Sequence, residues 1–266
     1  MKKPIALVTG ASRGIGHALA KSLLEEGYEV FGTSRHPDTL PETEKILGVK
    51  FLQMDLLKSD TIDKIISQFT SIDLLVNNAG FSQVGSVEEI SYEHIQEIFD
   101  AILFSQIRII KGFIPLMREQ RSGTILNITS MGGTNPMPFS AMYGAAKAGF
   151  DKISQGLRHE LAPFNIKVMA IAPLYANTTI VQNQDYREDS PYKKLIENAK
   201  QSRRRQLNSS ADPKLIARQI LKIIEKKNPK CHHTVGTNAK LMGFLMRHLP
   251  QKMVENIIRK RFGINA

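Results

Sequence analysis

A glycine-rich turn close to the start of the chain restricts the fold more than any other feature of the sequence. The apolar run Ile5–Val8 is typical of a buried strand, and the stretch TGASRGIG, from Thr9 to Gly16, follows it directly and leads into a helical pattern. Strand, glycine turn and helix in this order suit a pyrophosphate, because the backbone can approach the ligand closely and helix N–H groups face its charge. We therefore expect the dinucleotide contacts to come from Gly10, Ser12, Arg13, Gly14, Ile15 and Gly16.

Apolar runs that are typical of strands alternate with helical patterns along most of the chain. After the first strand, further strands are predicted at 29–33, 49–54, 72–76, 124–129, 166–171 and 231–236. Alternation of this kind predicts an α/β fold, a Rossmann-type doubly wound parallel sheet with helices on both faces. The length of 266 residues suits a single domain over 1–266. Ligands of such sheets bind at the carboxyl ends of the strands, where the motifs of this chain lie.

The residue that follows the second predicted strand indicates which nicotinamide cofactor fits. An acidic residue there would bind the adenosine ribose of NAD, whereas a basic residue would meet the extra phosphate of NADP. The position holds Arg35, and Arg13 in the glycine turn supplies a second positive charge. The sequence therefore favours NADP(H). Asp38 lies close enough to leave NAD(H) open, and each arginine is also compatible with an ordinary surface charge.

Three side chains between positions 130 and 147 predict a proton-transfer site. Tyr143 and Lys147 lie four residues apart in a helical pattern and therefore share one face. An ammonium beside a phenol favours the phenolate and lowers the pKa of the phenol from its ordinary value near 10. Ser130 follows the strand at 124–129, and we expect it to hold a carbonyl or alcohol oxygen beside the phenol. The alternative is that the Tyr and Lys share an exposed helix by chance.

Two later segments stand apart from these motifs. Residues 177–212 are polar and predicted to be irregular, which favours a mobile substrate lid; we interpret Arg203–Arg205 within them as part of a solvated loop. The amphipathic stretch 238–262 predicts a helix pair packed on the domain or on another subunit. The alternative for this stretch is peripheral contact with an anionic membrane surface.

Composition narrows the class of protein. The net charge of +11 suits nucleic acid, anionic lipid or phosphorylated ligands, but no nucleic-acid-binding motif is present and no such partner is expected. Cys231 is the single cysteine, which excludes an intrachain disulfide and favours a cytoplasmic protein. The adjacent His232 and His233 lack the spacing of metal ligands, so no metal site is expected. No apolar run approaches the roughly 20 residues of a membrane span.

Taken together, these motifs resemble the short-chain dehydrogenase/reductase family over essentially the whole chain. The matching features are the glycine turn, Asn77-Asn78-Ala79-Gly80, Ser130, and Tyr143 with Lys147, in the family's order and approximate spacing. The C-terminal segment also resembles the hydroxysteroid- and retinol-dehydrogenase-like branch, through Gly236, Ala239, Leu249-Pro250 and Arg261-Phe262-Gly263.

The resemblance implies an NADP-dependent alcohol dehydrogenase or carbonyl reductase, a homodimer or homotetramer, acting on a steroid, retinoid or lipid-like substrate. It implies that Tyr143 is the general acid in reduction and the base in oxidation. Lys147 would lower the tyrosine pKa and hold the nicotinamide ribose, and Ser130 would orient the substrate oxygen. Asp55 would contact the adenine, and Pro173 to Thr178 would lie along the nicotinamide. The remaining cofactor contacts that it implies are Leu56, Asn78, Ala79 and Gly80.

Two departures from the family pattern weaken this implication. Ile102 stands where the family has an asparagine that continues a proton relay, and Ser105 replaces a glycine three residues later. Leu174 stands where the family has a glycine after Pro173. An isoleucine cannot relay a proton. The alternative function is therefore an NADP(H)-binding regulatory or scaffold protein with little or no catalysis.

Overall fold

Parallel strands form the centre of the computed structural model, which describes residues 3–135, 137–174, 182–208 and 210–264. The strands are Ile5–Val8 (β1), Glu29–Ser34 (β2), Lys50–Gln53 (β3), Leu74–Asn77 (β4), Ser82–Gly85 (β5), Gly123–Ile128 (β6), Ile166–Pro173 (β7), Gln182–Asp185 (β8) and His232–Val235 (β9). Seven of them form one sheet in the order β3-β2-β1-β4-β6-β7-β9, and every neighbouring pair is parallel. The parallel α/β sheet expected from the sequence is confirmed.

Helices cover both faces of this sheet. They are Gly14–Glu25 (α1), Ser59–Ile66 (α2), Tyr92–Phe99 (α3), Ser105–Gln120 (α4), Met131–Thr134 (α5), Ala141–Leu161 (α6), Lys193–Asn208 (α7), Pro213–Ile224 (α8), Ala239–His248 (α9) and Gln251–Phe262 (α10). Successive residues of β1 point to opposite faces. Ala6 and Val8 pack under α1 and α8, whereas Leu7 packs under α2, α4 and α6, so the sheet separates two apolar cores.

The order of the strands creates a crevice at their carboxyl ends. From β1 the chain moves outward to β2 and β3, and then returns to place β4 on the other side of β1. The loops that follow β1 and β4 therefore diverge to opposite faces of the sheet, and the gap between them is where sheets of this kind bind ligands. The β1 loop leads into α1, whose first turn faces this gap.

The helical apolar spacing from Ser91 to about Met117 corresponds to two α-helices joined by a π turn. The hydroxyl of Ser91 accepts a hydrogen bond from the backbone N–H of His94 and starts α3, which ends at Phe99. Residues Asp100–Phe104 then form a π turn before α4 begins. A π turn holds one extra residue per turn and leaves the apolar spacing almost unchanged, so the sequence pattern does not reveal it.

The irregular conformation predicted for 177–212 is wrong for much of the described part. Residues 193–208 form α7, and Arg203–Arg205 belong to this helix and not to a solvated loop. Its buried positions follow helical spacing but include two polar residues, which hides the apolar stripe: Ile196, Ala199, Ser202 and Gln206. A second feature that sequence reasoning missed is the parallel pairing of β5 with β8. A role of the segment as a mobile lid stays a prediction.

The C-terminal stretch forms the expected pair of helices, α9 and α10. Val254, Ile258 and Phe262 on α10 pack against Ala199 of α7. The hydroxyl of Ser202 also donates a 2.9 Å hydrogen bond to the carbonyl of Arg261. In the described ranges, no helix has both the length and the apolar character needed to pass through a bilayer.

Candidate active site

A cavity of about 750 Å³ occupies the crevice at the carboxyl ends of the strands. Every predicted site residue in the described part of the chain, except Gly16, contributes to its wall. These residues are Gly10, Ser12, Arg13, Gly14, Ile15, Arg35, Asp55, Leu56, Asn78, Ala79, Gly80, Ser130, Tyr143, Lys147 and Pro173. Thr178, predicted to lie along the nicotinamide, falls outside the described residues.

Close backbone packing explains the glycines of the β1–α1 turn. Gly10 has a φ of +66°, and a Cβ there would lie 2.9 Å from the Cα of Ala79. A Cβ on Gly16 would lie 2.3 Å from the carbonyl oxygen of Gly10, so the backbone at Gly16 packs directly against the backbone of the turn. Gly14 and Ile15, the first two residues of α1, line the cavity, so the N-terminus of the helix lies at its wall. These residues fit the pyrophosphate of a dinucleotide, which needs close backbone approach and a helix N-terminus.

The loop after β4 is bonded directly to this turn. The side-chain amide of Asn78 donates to the carbonyl oxygens of Thr9 and Gly10, at 2.9 and 3.1 Å. In return, the hydroxyl of Thr9 accepts hydrogen bonds from the backbone N–H groups of Asn78 and Ala79, both at 2.9 Å. Asn78 therefore has a structural role that the sequence did not reveal, because its side chain fixes the turn on which the pyrophosphate would rest.

Basic side chains lie at the end of the cavity that follows β2. Arg13 and Arg35 are both exposed there. His36 also lines this part of the cavity and was missed by the sequence analysis, although its position beside Arg35 could have indicated it. Asp38, which left NAD(H) open, is exposed within the 3₁₀ turn Pro37–Thr39. The local surplus of positive charge suits the additional phosphate of NADP(H).

The Asp55 carboxylate accepts a hydrogen bond within the loop that follows β3. One of its oxygens accepts a 3.1 Å hydrogen bond from the N–H of Leu57, while the hydroxyl of Thr61 bonds the Asp55 backbone. The loop is thereby held at the cavity wall, where the predicted adenine contact would form.

Ser130 and Tyr143 meet at the inner part of the cavity. Ser130 caps the short helix α5, and its hydroxyl accepts a 3.0 Å hydrogen bond from the N–H of Gly132. Burial raises the pKa of Tyr143, while a side-chain hydrogen bond with Ser130 and the positive charge of Arg203 oppose this rise. The pKa of the phenol is therefore raised, and the predicted lowering of this pKa by Lys147 is wrong, because burial dominates and the opposing groups are Ser130 and Arg203. The phenol keeps its proton at neutral pH, which suits a group that donates a proton to a carbonyl oxygen.

Lys147 lies one helical turn beyond Tyr143 on α6 and is only 5% exposed. Its ammonium donates a 2.7 Å hydrogen bond to the carbonyl oxygen of Ile128, at the end of β6. Desolvation lowers the pKa of Lys147 to about 8. The bond to Ile128 brings the lysine to the same strand end from which Ser130 follows, so the three predicted side chains converge on one part of the cavity.

Arg203 is a cavity residue that the sequence analysis assigned to solvent. It lies on α7, and its guanidinium donates a hydrogen bond to the hydroxyl of Ser140. That hydroxyl also donates to the carbonyl of Gln83, at 2.7 Å. Sequence reasoning missed Arg203 because the helical character of α7 was hidden by the polar residues on its buried side.

The structure shows what surrounds Ile102 and Leu174, at the two departures from the family pattern. Ile102 is fully buried in the π turn among apolar side chains and offers no polar group. One turn later, the buried amide of Gln106 donates to the carbonyl oxygens of Ala79 and Ala101, both at 3.0 Å. The backbone N–H of Leu174 donates to Val235 and extends the pairing of β7 with β9.

The histidines near Cys231 have local partners. His232 Nδ1 lies 2.8 Å from a carboxylate oxygen of Asp151, and His233 Nε2 lies 3.0 Å from the carbonyl oxygen of Lys230. Within the described ranges, no group of three or more His, Cys, Asp or Glu side chains is arranged to hold a metal ion.

Comparison with known proteins agrees with this geometry. A family model described as short chain dehydrogenase matches residues 4–189. A 3-ketodihydrosphingosine reductase of Bacteroides thetaiotaomicron is 32% identical over 279 aligned residues, covering 99% of this chain and 100% of the relative. The 3-oxoacyl-(acyl-carrier-protein) reductase FabG of Staphylococcus epidermidis is 38% identical over 178 residues, covering 63% of this chain and 73% of the relative.

A solved structure gives the same result for the fold. The crystal structure of a short-chain dehydrogenase from Streptomyces avermitilis matches with a TM-score of 0.82 at 27% identity, covering 99% of this chain and 98% of that one. The hydroxysteroid- and retinol-dehydrogenase-like branch is not specified by these relatives and stays a prediction. The family model, the full-length relative and the shared fold lead to one conclusion: the chain belongs to the short-chain dehydrogenase/reductase family.

Proposed function

We propose that this protein is an NADP(H)-dependent oxidoreductase that interconverts an alcohol and a carbonyl on a lipid-like substrate. The observation that carries the proposal is the convergence of Ser130, Tyr143 and Lys147 at one strand end, inside a cavity whose other end holds the glycine turn. Arg13 and Arg35 favour NADP(H) over NAD(H), because NADP(H) has an additional phosphate on the adenosine ribose. The chemistry contributed by bound NADPH is hydride transfer to the carbonyl carbon.

The protein residues act on the oxygen of the reacting group. Tyr143, protonated at neutral pH, donates its proton to the carbonyl oxygen as negative charge develops on it. The hydroxyl of Ser130 lies within hydrogen-bonding contact of this phenol and orients the same oxygen. The ammonium of Lys147 binds the hydroxyls of the nicotinamide ribose. In the oxidative direction Tyr143 takes the proton back from the alcohol.

The cavity wall and the relatives favour a lipid chain over the other apolar substrates considered. Phe81, Met131, Met137 and Phe262 give the inner part of the cavity an apolar lining. The names of the two relatives both describe a ketone on the third carbon of a chain compound, one a sphingoid base and the other an acyl carrier derivative. We therefore infer a chain ketone as the substrate class.

Replacing Tyr143 with Phe tests the catalytic proposal. We expect Tyr143→Phe to remove NADPH consumption with a panel of long-chain ketones, because the proton donor is lost, while NADPH still binds. Steady-state kinetics followed by NADPH absorbance and a fluorescence titration measure the two properties. Tyr92→Phe, at a tyrosine that is 77% exposed on α3, is the matched control and should behave as wild type.

Two results would contradict the proposal. Normal turnover by Tyr143→Phe would remove the tyrosine from the mechanism. Firm NADPH binding by the wild-type protein with no ketone consumed would favour the alternative of a regulatory or scaffold protein, which the buried Ile102 motivates.

Replacing Arg35 with Ser tests the choice of cofactor. We expect Arg35→Ser to weaken NADPH binding by about tenfold or more and to leave NADH binding unchanged, because only NADPH has the additional phosphate on the adenosine ribose that the guanidinium would bind. Fluorescence titrations with the two nucleotides measure the change. Arg118→Ser, at an exposed arginine in the last turn of α4 that does not line the cavity, is the control. Equal losses for both nucleotides would reject Arg35 as the phosphate ligand.

The lowered pKa of Lys147 predicts how cofactor binding depends on pH. The ammonium is charged below about pH 8 and becomes neutral above it, so the donor to the ribose weakens as pH rises through that value. We expect the NADPH dissociation constant of the wild-type protein to increase through this range. In Lys147→Met the constant should be larger and show no inflection near pH 8. An unchanged inflection in the variant would assign it to another group.

We also propose that α9 and α10 contact an anionic membrane surface. Their exposed apolar side chains, which we name the C-terminal surface, are Leu241, Phe244, Leu245, Met253 and Ile257. The exposed cations Lys252, Arg259 and Lys260 border it. Apolar residues rimmed by basic ones suit the interface of anionic bilayers. The buried Phe262 of the same helix α10 lines the cavity, so this helix carries both part of the proposed membrane surface and part of the cavity wall.

Vesicle co-sedimentation tests this contact. The full-length protein should pellet with phosphatidylglycerol vesicles at low salt and much less with neutral phosphatidylcholine vesicles. The double variant Phe244→Asp with Ile257→Asp should stay in the supernatant, because charge on the apolar face opposes insertion. Leu47→Asp, at a leucine that is 98% exposed elsewhere, is the control. Absence of the wild-type protein from every pellet would contradict the proposed membrane contact.

A further inference from the structure

A guanidinium lies on the cavity wall at the corner where the substrate oxygen would bind. Arg203 projects from α7, lines the cavity together with Met137 and Ser140, and is partly buried. Its hydrogen bond to the Ser140 hydroxyl joins α7 to the start of α6, the helix that carries Tyr143. The cation is therefore held near the reacting group and not in solvent, and the mechanism above does not use it.

The position of this cation restricts the substrate by charge. The positive charge of Arg203 acts on Tyr143, which places the guanidinium within electrostatic reach of the oxygen that the tyrosine would bind. Arginine binds carbonyl and carboxylate oxygens through geometrically fixed N–H donors, and the bond is strengthened by its charge. In a partly buried cavity, it repels an ammonium brought to the same corner.

We propose that Arg203 binds an acyl oxygen of the substrate, from a carboxylate, ester or thioester that lies close to the reacting ketone. This assignment rests on the proposed function and makes it more specific. Between the two kinds of chain ketone considered above, it selects 3-oxoacyl compounds and disfavours sphingoid ketones, which have an ammonium on the carbon beside the carbonyl. Arg203 is thus a specificity residue for the second functional group of the substrate.

A set of three ketones of equal chain length tests the assignment. The probes are a 3-oxoacyl methyl ester, a methyl ketone with no second oxygen, and a 2-amino-3-ketone. With the wild-type protein we expect kcat/KM for the ester to exceed that for the methyl ketone by about tenfold, the usual contribution of a hydrogen bond to a charged group. The aminoketone should be the poorest of the three substrates.

Variants of α7 then assign the preference to one side chain. Arg203→Met should remove the tenfold advantage of the ester over the methyl ketone and leave the binding of NADPH unchanged; the loss of charge beside Tyr143 acts on both ketones equally and does not change their ratio. Arg204→Met, at the exposed neighbour on the same helix, should keep the wild-type preference. Ser140→Ala removes the hydrogen bond to Arg203 without removing the cation, and should retain part of the preference.

The results that would overturn the assignment are distinct from those that concern the proposed function. If Arg203→Met lowers activity equally on the ester and the methyl ketone, the arginine only supports Ser140 and the assignment is wrong, although the reductase function stands. A wild-type preference for the aminoketone would also overturn it; loss of that preference in Glu97→Gln would show that Glu97, one of the acidic residues of the cavity wall, binds the amine. Failure to reduce any ketone would overturn the proposed function and this assignment together.

Discussion

The hydrogen bonds between Asn78 and the β1–α1 turn are the contacts on which the geometry of the cavity depends. A turn with glycines at its tight positions has little side-chain packing of its own and loses much conformational entropy on ordering. Four bonds from Asn78 and Ala79 to Thr9 and Gly10 offset this cost by fastening the turn to the end of the neighbouring strand. These bonds thus hold the β1–α1 turn against the loop that follows β4.

A second set of buried polar contacts positions α6, the helix that carries Tyr143 and Lys147. The amide of Asn77 donates to Asn127 on β6, and Asn127 donates to the hydroxyl of Ser154 on α6, both at 2.8 Å. A further bond from Lys147 to Ile128 joins the same helix to the end of β6. Buried polar groups are expensive to leave unpaired, so these bonds favour one register of α6 on the sheet. Tyr143 is positioned by that register.

Sequence reasoning recovered the parts of the structure in which local pattern and tertiary environment agree. The strands of a parallel sheet are buried on both faces and therefore appear as apolar runs, and the glycine turn has a spacing that backbone approach requires. It failed for α7, where Ser202 and Gln206 occupy buried positions because they bond to each other. Arg203 was missed as a cavity residue because that helix was not predicted. Asn78 fixes the glycine turn through contacts between segments that are distant in the sequence. The spacing of residues along the chain does not reveal such contacts.

The isoleucine in the π turn leaves the loop after β4 attached to the helix through other contacts. A π turn displaces the carbonyl of Ala101 from the regular helical ladder, and a buried carbonyl without a donor is costly. The amide of Gln106 supplies that donor and also holds the carbonyl of Ala79, so the loop that lines the cofactor site stays attached to the helix without a polar side chain at position 102. The Oε1 atom of Gln106 is buried and, among the described residues, accepts no hydrogen bond. The side chain of Ile102 therefore has a packing role at this point, because it belongs to the apolar cluster against which Phe81 and Tyr143 pack.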